Sequence, residues 1–463
     1  MKPVSLRGGG ATLAVSALSA AFGTVLIMVI ADFAAYFAAT GLDGIGQASL
    51  MLGVVAALFF GIALYVGAVV TANSVSTVIA GRTREIALLR LIGASGATLR
   101  GRILREGVLQ GAVGALIGCA VGALLTAAAA QLAMATGVLD SFAYPFLHPA
   151  VAAPVLAVTA ATAIAAWSGS RRVLAVSPMA ATGSATEPRW DELRAGTARR
   201  VVSIGLVALG FLLLAGGVVL GLVTSLGVLL GLAGGMISFT GVVLGAPVFL
   251  PPLMRLLGRM LGRGPVPALA AANAVRNPAR SSRAVVGLVI GVTLVTMFAV
   301  ATETFRSITY QYGQMQPEYY AAFEQVISTT TAVMSVLLGF SVLLAAVGMI
   351  NTLSLSVLQR RRELGLLRAL GFTVAQVRRM IVAEATAMVA SATLFGILLG
   401  VFYGWAGAQS TFGSLIQGVT APSIPWPIMA AVVVATVAIT IASSLVPARR
   451  ATRVSPVAAL AVD

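Results

Sequence analysis

Residues 82–106 read RTREIALLRLIGASGATLRGRILRE, and residues 360–384 read RRRELGLLRALGFTVAQVRRMIVAE. A shift of 278 positions lays the first on the second without a gap, and 11 of the 25 aligned residues are identical. The same shift pairs Arg171-Arg172 with Arg449-Arg450 and Ser177-Pro178 with Ser455-Pro456. Self-similarity at one fixed spacing marks an internal duplication, and it has to be read before any fold is assigned. Whatever this stretch does, the chain does it twice.

What surrounds the two copies is apolar. Of 463 residues, 59% are hydrophobic and 10% charged, against about 25% charged in an ordinary soluble domain. Ten runs stand out: 11–31, 49–73, 105–130, 149–169, 202–222, 226–250, 284–302, 326–352, 382–405 and 428–447. About 20 apolar residues in helical form cross a hydrocarbon core of roughly 30 Å. None of the runs alternates at period two as a barrel strand would. The expected fold is an all-α polytopic membrane protein of about ten transmembrane helices, as two parallel four-helix repeats plus a two-helix linker. The expected divisions are residues 1–178 for the first repeat, 179–262 for the linker and 263–463 for the second repeat. A cleavable leader is the competing reading of the first run, but leaders have apolar cores of about 7–15 residues, so this run is taken as a span.

A net charge of +16 raises nucleic acid as a partner, and the distribution of that charge argues against it. One lysine, Lys2, and 29 arginines sit in short clusters between apolar runs. With a cytoplasmic N-terminus, 29 of these 30 cations fall on the inner side and only Arg306 falls outside. That asymmetry is the positive-inside pattern. It predicts a bacterial cell-membrane protein with both termini in the cytoplasm. The outer loops are short, with 17 residues after the first span and 23 after its copy. A folded extracellular domain needs about 50 or more.

Both copies of the repeated stretch fall on the inner side. Gly93 and Gly371 suit the left-handed position that ends a helix. Thr373 with Gln376 suits a capping box opening the next helix, and Ser95 suits a cap in the first copy. Glu85, Leu88, Leu89 and Ile92 recur at i, i+3, i+4 and i+7, as do Glu363, Leu366, Leu367 and Leu370. An apolar stripe outside the membrane needs a cover. Either it folds back on its own neighbours or it docks a cytosolic partner, and spacing leaves both open.

The pattern RxREIxLLRxIGAS, the glutamate that follows it at the membrane boundary (Glu106 or Glu384), and the terminal RRxxxxSPxxAL of residues 449–460 resemble the FtsX/MacB-type permease domain of ABC transporters. Residues 276–283, RNPARSSR, resemble the basic segment before the first helix of such domains. Two four-helix copies joined by two further helices resemble the tandem members of that family, although the large periplasmic domain of MacB-type proteins has no room here. The resemblance implies a coupling loop seated on a nucleotide-binding subunit. That role would fall on Arg84, Glu85, Leu88, Leu89, Arg90 and Gly93, and on Arg362, Glu363, Leu366, Leu367, Arg368 and Gly371. It also implies two copies of a cytosolic ABC ATPase as partners, with ATP and Mg bound there and no cofactor in this chain. Membrane lipid, and a substrate or accessory protein outside, complete the implied partners. The expected function is the permease subunit of a bacterial ABC transporter that exports or extracts a lipid, peptide or antibiotic-like substrate. The alternative is a mechanotransmitting scaffold that regulates a cell-wall hydrolase or sensor kinase.

Other chemistries are excluded by what is missing. A P-loop ends in Gly-Lys-Ser/Thr, and the only lysine is Lys2. One histidine, His148, and one cysteine, Cys119, fall short of a zinc ligand set. Ion-coupled carriers place ionisable groups at mid-membrane, whereas Asp32, Glu303, Glu106 and Glu384 all lie at span ends. Gly114, Gly118 and Gly122 in span 3, and Gly396, Gly400 and Gly404 in span 9, recur every four residues and are expected to form close helix contacts. Phe305, Tyr310, Tyr312, Tyr319, Tyr320 and Phe323 follow span 7 and are expected to form an interfacial aromatic belt.

Overall fold

Inside hydrocarbon every peptide group must find its partner within the chain, so an apolar run of this length is helical or not stable. The computed structural model describes residues 10–39, 83–135, 149–171, 190–260, 278–315 and 372–438, with isolated helical positions between 61 and 72. Among these residues the structure is α1 (Gly10–Ala39), α2 (Thr83–Leu91), α3 (Gly96–Ala135), α4 (Ala152–Ser170), α5 (Trp190–Gly221), α6 (Gly227–Met260), α7 (Pro278–Met315), α8 (Val374–Ile416) and α9 (Trp426–Ala438). No strand occurs among them. Six of these helices are long and apolar enough to cross a bilayer. The chain is an all-α polytopic membrane protein. Most of span 2 and all of span 8 lie outside the described residues.

The helices run past the apolar runs that announce them. Span 7 ends at 302 by hydropathy, yet α7 continues to Met315. One face of the extension carries Thr304, Phe305, Ile308 and Thr309, all buried, and the Phe305 ring meets that of Phe412 at 4.5 Å. Phe305 is therefore a packed side chain rather than part of an interfacial belt, while Tyr310 stays exposed with the Arg306 guanidinium 5.7 Å from its ring centre. Side-chain packing, not hydropathy, accounts for the helix running on through Thr309.

The chain divides into two compact units, Met1–Thr186 and Glu187–Asp463. In the first, α1 lies along α3, and α4 closes the other side. Ser16 Oγ and Thr162 Oγ1 hydrogen-bond at 3.1 Å between α1 and α4. Ala20, Ala115 and Val158 form a core cluster, on which Leu64 of span 2 packs.

In the second unit α7 lies along α8, α6 packs on both, and α5 packs on α8. The α5–α6 contact is built from backbone against backbone. A Cβ on Gly217 would sit 2.6 Å from Gly231 N, and one on Gly234 would sit 2.7 Å from Gly210 O. Onto this pair α8 presents Tyr403, whose hydroxyl lies 3.0 Å from Ser238 Oγ. Phe402 of α8 stands edge-on to Phe211 of α5 at 5.0 Å. Ser282 at the start of α7 donates to Ala246 O of α6 at 3.1 Å. The two added helices thus join the compact unit of the second repeat.

The duplication is visible in the packing itself. Gly118 abuts Ala17 O, and its counterpart Gly396 abuts Val289 O. Gly122 meets Ala21 O and Thr24 Cβ, and its counterpart Gly400 meets Thr293 O and Thr296 Cβ. The third helices match at a shift of 278, but their partners on the first helices match at 272. The difference of six equals the six residues by which the loop of the second copy exceeds the first, 23 against 17.

Candidate functional site

The first copy of the repeated stretch folds as a helix, a turn and a helix. α2 ends on Gly93, whose φ of +98° is the left-handed value that a side chain resists. Gly93 N–H donates to Arg90 O at 3.2 Å and Ala94 N–H to Leu89 O at 2.9 Å. That pair of bonds is the Schellman closure, which satisfies two carbonyls the helix leaves open. Ser95 then caps α3 by accepting from Thr98 N–H at 3.0 Å. In the second copy Thr373 and Gln376 complete a reciprocal capping box at the start of α8.

The finger is braced at its base. Ile86, Leu99 and Ala166 form a buried cluster against which Leu89, Ala94, Ile103 and Leu104 pack, so α2 is clamped to α3 and to the end of α4. Arg100 on α3 adds a polar tie, with Nε 3.3 Å from Ser170 Oγ and NH2 3.4 Å from Trp167 O. The Trp167 ring lies under two guanidiniums, Arg171 at 4.2 Å and Arg100 at 5.1 Å. Glu106 pairs with Arg102 at 3.7 Å one turn away.

The stripe expected from spacing divides in two. Leu89 turns into the cluster with Ile86, which hydrophobic spacing alone does not single out, and Ala87 is buried beside it in sequence. Leu88 and Ile92 point away and are joined by Leu91, with exposures of 51%, 72% and 52%. Arg84 and Glu85 fall in the first turn of α2, and Arg90 in its last. Arg362, Glu363, Leu366, Leu367, Arg368 and Gly371 lie outside the described residues. One face of the finger is thus a buttress and the other an uncovered apolar surface.

The glycines set how the finger's second helix meets the bundle. Gly114, Gly118 and Gly122 face α1, and Gly396, Gly400 and Gly404 face α7, with backbone or Cβ atoms where a side chain would go. Gly107 and Gly111 do the same toward Ala166 and Thr162 of α4. They form a separate pair four residues apart, one position out of step with Gly114, Gly118 and Gly122, and that spacing is the signal by which the sequence could have shown them. Among the described residues, then, the finger, α1 and α4 all bear on α3.

The family model for the FtsX-like permease C-terminal domain matches twice, at residues 57–178 and 335–456, together just over half of the chain. The two matches stand 278 residues apart at both ends, the shift of the duplicated stretch. An uncharacterized ABC transporter permease of Bacillus subtilis, YknZ, is 29% identical over 154 residues, 33% of this chain and 36% of that protein. The macrolide export ATP-binding/permease protein MacB of Rhodopirellula baltica is 35% identical over 136 residues, 29% of this chain and 19% of that protein. An uncharacterized ABC transporter permease of Methanocaldococcus jannaschii is 26% identical over 146 residues, 30% of this chain and 36% of that protein. The chain spans little more than a third of the length of these relatives at most. Its duplicated stretch and doubled domain match place it plainly: the chain belongs to the FtsX-like permease family, and the relatives it matches include ABC transporter permeases.

Proposed function

We propose that this chain is the membrane subunit through which separate cytosolic ABC ATPase subunits drive a conformational change across the bilayer, one ATPase docking on each copy of the finger. The observation that carries the reading is the uncovered face of Leu88, Leu91 and Ile92 on a helix whose opposite face is locked to α3 and α4. A partner that grips this face can push or pull without first deforming the finger. The load passes directly into α3, a single helix of 40 residues and so about 60 Å long at about 1.5 Å per residue. Close Gly contacts then hand it to α1 and α4. ATP and Mg belong to the partner chains in this scheme, and this chain contributes shape and stiffness.

The positive-inside pattern orients the fingers to the cytoplasm of a bacterial cell, with both termini on that side. The cargo class that fits a bundle with short outer loops is one that partitions into the membrane: a lipid, a hydrophobic peptide or an antibiotic-like amphiphile. MacB proteins are named for macrolide export, which is consistent with that class. The test is to co-express the chain with candidate ABC ATPases and replace Leu88 and Ile92 by Asp. Loss of ATPase co-purification, with an unchanged monodisperse permease, is the expected result. Full retention and full transport-linked ATP hydrolysis in the double variant would refute the docking role.

A further inference from the structure

The strongest unassigned feature is a groove of about 910 Å³ between α8 and α9. Its size falls in the range of about 300–1,000 Å³ typical of small-molecule sites. One wall is the Leu398, Val401, Phe402 and Trp405 face of α8, and the other is the Trp426, Ala430 and Val434 face of α9. Pro422 and Ile424 of the connecting loop close the end far from the finger. Of the two indole N–H groups in the lining, that of Trp405 already donates to Thr420 O at 2.6 Å, and that of Trp426 sits at the exposed mouth; the other lining side chains are apolar.

The groove is held open by its frame. Gln409, fully buried, donates to Gly418 O at 2.6 Å and accepts from Thr420 N–H at 3.2 Å and from Thr420 Oγ1 at 3.0 Å. Ser423 N–H donates to Thr304 Oγ1 of α7 at 3.2 Å. Phe402 is backed by Phe211 of α5. Five hydrogen bonds and an aromatic buttress thus fix the rim and floor, which is preorganisation of the kind that lowers the cost of binding.

The duplication supplies an internal control. The lining positions Ile397, Leu398, Val401, Phe402 and Trp405 correspond, at a shift of 278, to Cys119, Ala120, Ala123, Leu124 and Ala127 of α3. Every counterpart is smaller, while Gly118/Gly396 and Gly122/Gly400 are kept. The third helices agree where they meet the first helices and differ where α8 walls the groove.

We infer that this groove is a lipid site that holds an acyl chain of a bilayer phospholipid, in the leaflet opposite the finger. The occupant follows from continuity with the membrane interface: Leu398, Val434 and Trp426 line the groove and also lie largely exposed on membrane-facing helices. The exposed indole of Trp426 opens α9 at the level where such rings favour the headgroup boundary. This site rests on the membrane embedding of the chain and not on the ATPase reading, so either stands if the other falls.

The test uses the full chain in nanodiscs of phosphatidylethanolamine and phosphatidylglycerol, doped with a phospholipid bearing a photoactivatable group midway along one acyl chain. After irradiation, adducts are mapped by peptide mass spectrometry with no nucleotide or partner present. Adducts on 397–405 and 426–434 are expected to exceed those on 119–127 by about tenfold, a preference of about 1.4 kcal/mol. Ala430→Trp, which fills the groove from the α9 wall, is expected to remove the excess, and Val401→Trp does the same from α8 if the first variant fails to fold. Equal labelling of the two repeats, meaning bulk lipid only, overturns the inference. So does labelling that survives a correctly folded filling variant, or a groove cross-linked to a second copy of the chain or to a co-purified peptide instead of lipid.

Discussion

Replacing Gly118 by alanine is the sharpest probe of how the first unit is held together. An ideal Cβ built there falls within contact-breaking distance of Ala17 O and 2.7 Å from the Ala17 carbonyl carbon. Both obstacles are backbone, so no side-chain rotation clears them, and α1 and α3 must separate along their shared length. Overpacking of this kind costs about 1–3 kcal/mol. Helix propensity runs the other way, since alanine is better than glycine in a helix by about 1 kcal/mol. The net expectation is a loss of up to about 2 kcal/mol, against a gain where the glycine faces open space. Gly101, on the same helix, has nothing within 4 Å of its ideal Cβ and is the matched control.

The second unit repeats the experiment. Gly400→Ala would place its Cβ 2.5 Å from Thr296 Cβ and 2.7 Å from Thr293 O, and Gly407→Ala meets nothing within 4 Å. Thermal unfolding of the four variants in one detergent, followed by size-exclusion recovery after heating, gives the ranking directly. Gly118→Ala and Gly400→Ala should melt below the wild type, and Gly101→Ala and Gly407→Ala at or above it. If the four variants melt together, the glycines are present by composition and the packing argument fails.

Truncating a well-packed docking contact costs about 2 kcal/mol or more, so Ile92→Ala alone should weaken binding of the partner ATPase roughly 30-fold, read by titration in nanodiscs. Charge reversal at Glu85 together with Glu363 should lower ATPase retention in detergent pull-downs, and unchanged retention with unchanged stimulated hydrolysis would count against both as docking residues. A single cysteine at Ala94 in a Cys119→Ser background should react with impermeant maleimide in inverted vesicles and not in intact cells; the reverse pattern inverts the orientation. Gln409→Leu leaves Gly418 O and Thr420 N–H without their buried partner and should lower stability by about 1–3 kcal/mol, seen as a fall in melting temperature.

How much of this was legible beforehand depends on whether local or tertiary forces decide. The turn at Gly93 and the caps at Ser95 and Thr373 are local, set by residues within one turn, and the sequence shows them directly. The orientation of α2 is tertiary. That nine-residue helix has apolar side chains on both faces, so spacing cannot say whether Ile86 or Ile92 turns inward; the presence of Leu99 and Ala166 decides it. Helix ends fail for a related reason. Hydropathy stops at Glu303, but the packed face of Phe305, Ile308 and Thr309, with Phe412 against Phe305, carries α7 further out. The close α5–α6 contact rests on glycines such as Gly217 and Gly234 meeting backbone. The attachment of that pair to α7 and α8 turns on particular contacts such as Tyr403 with Ser238, which no periodicity encodes.

The same attachment gives the duplicated halves different surroundings. Tyr403 and Ser410 of α8 are buried, with Ser238 against the first and Gly221 and Gly231 against the second. Their counterparts on α3, Leu125 and Leu132, are 59% and 66% exposed. A hydroxyl that finds a partner on α6 has been retained or gained where the two helices pack, and a leucine stands where the same position meets lipid. The two copies of the repeated stretch therefore lead into unequal surroundings. The third helix of the first unit moves against α1, α4 and lipid, while that of the second moves against α7 and the α5–α6 pair. Tyr403→Phe removes the hydroxyl tie to Ser238 and keeps the ring, so no bulk is added against α5 or α6. If the asymmetry matters, this variant should leave finger-dependent ATPase binding intact and alter the lipid labelling of the groove. An unchanged labelling pattern would mean that α5 and α6 act as passive filler.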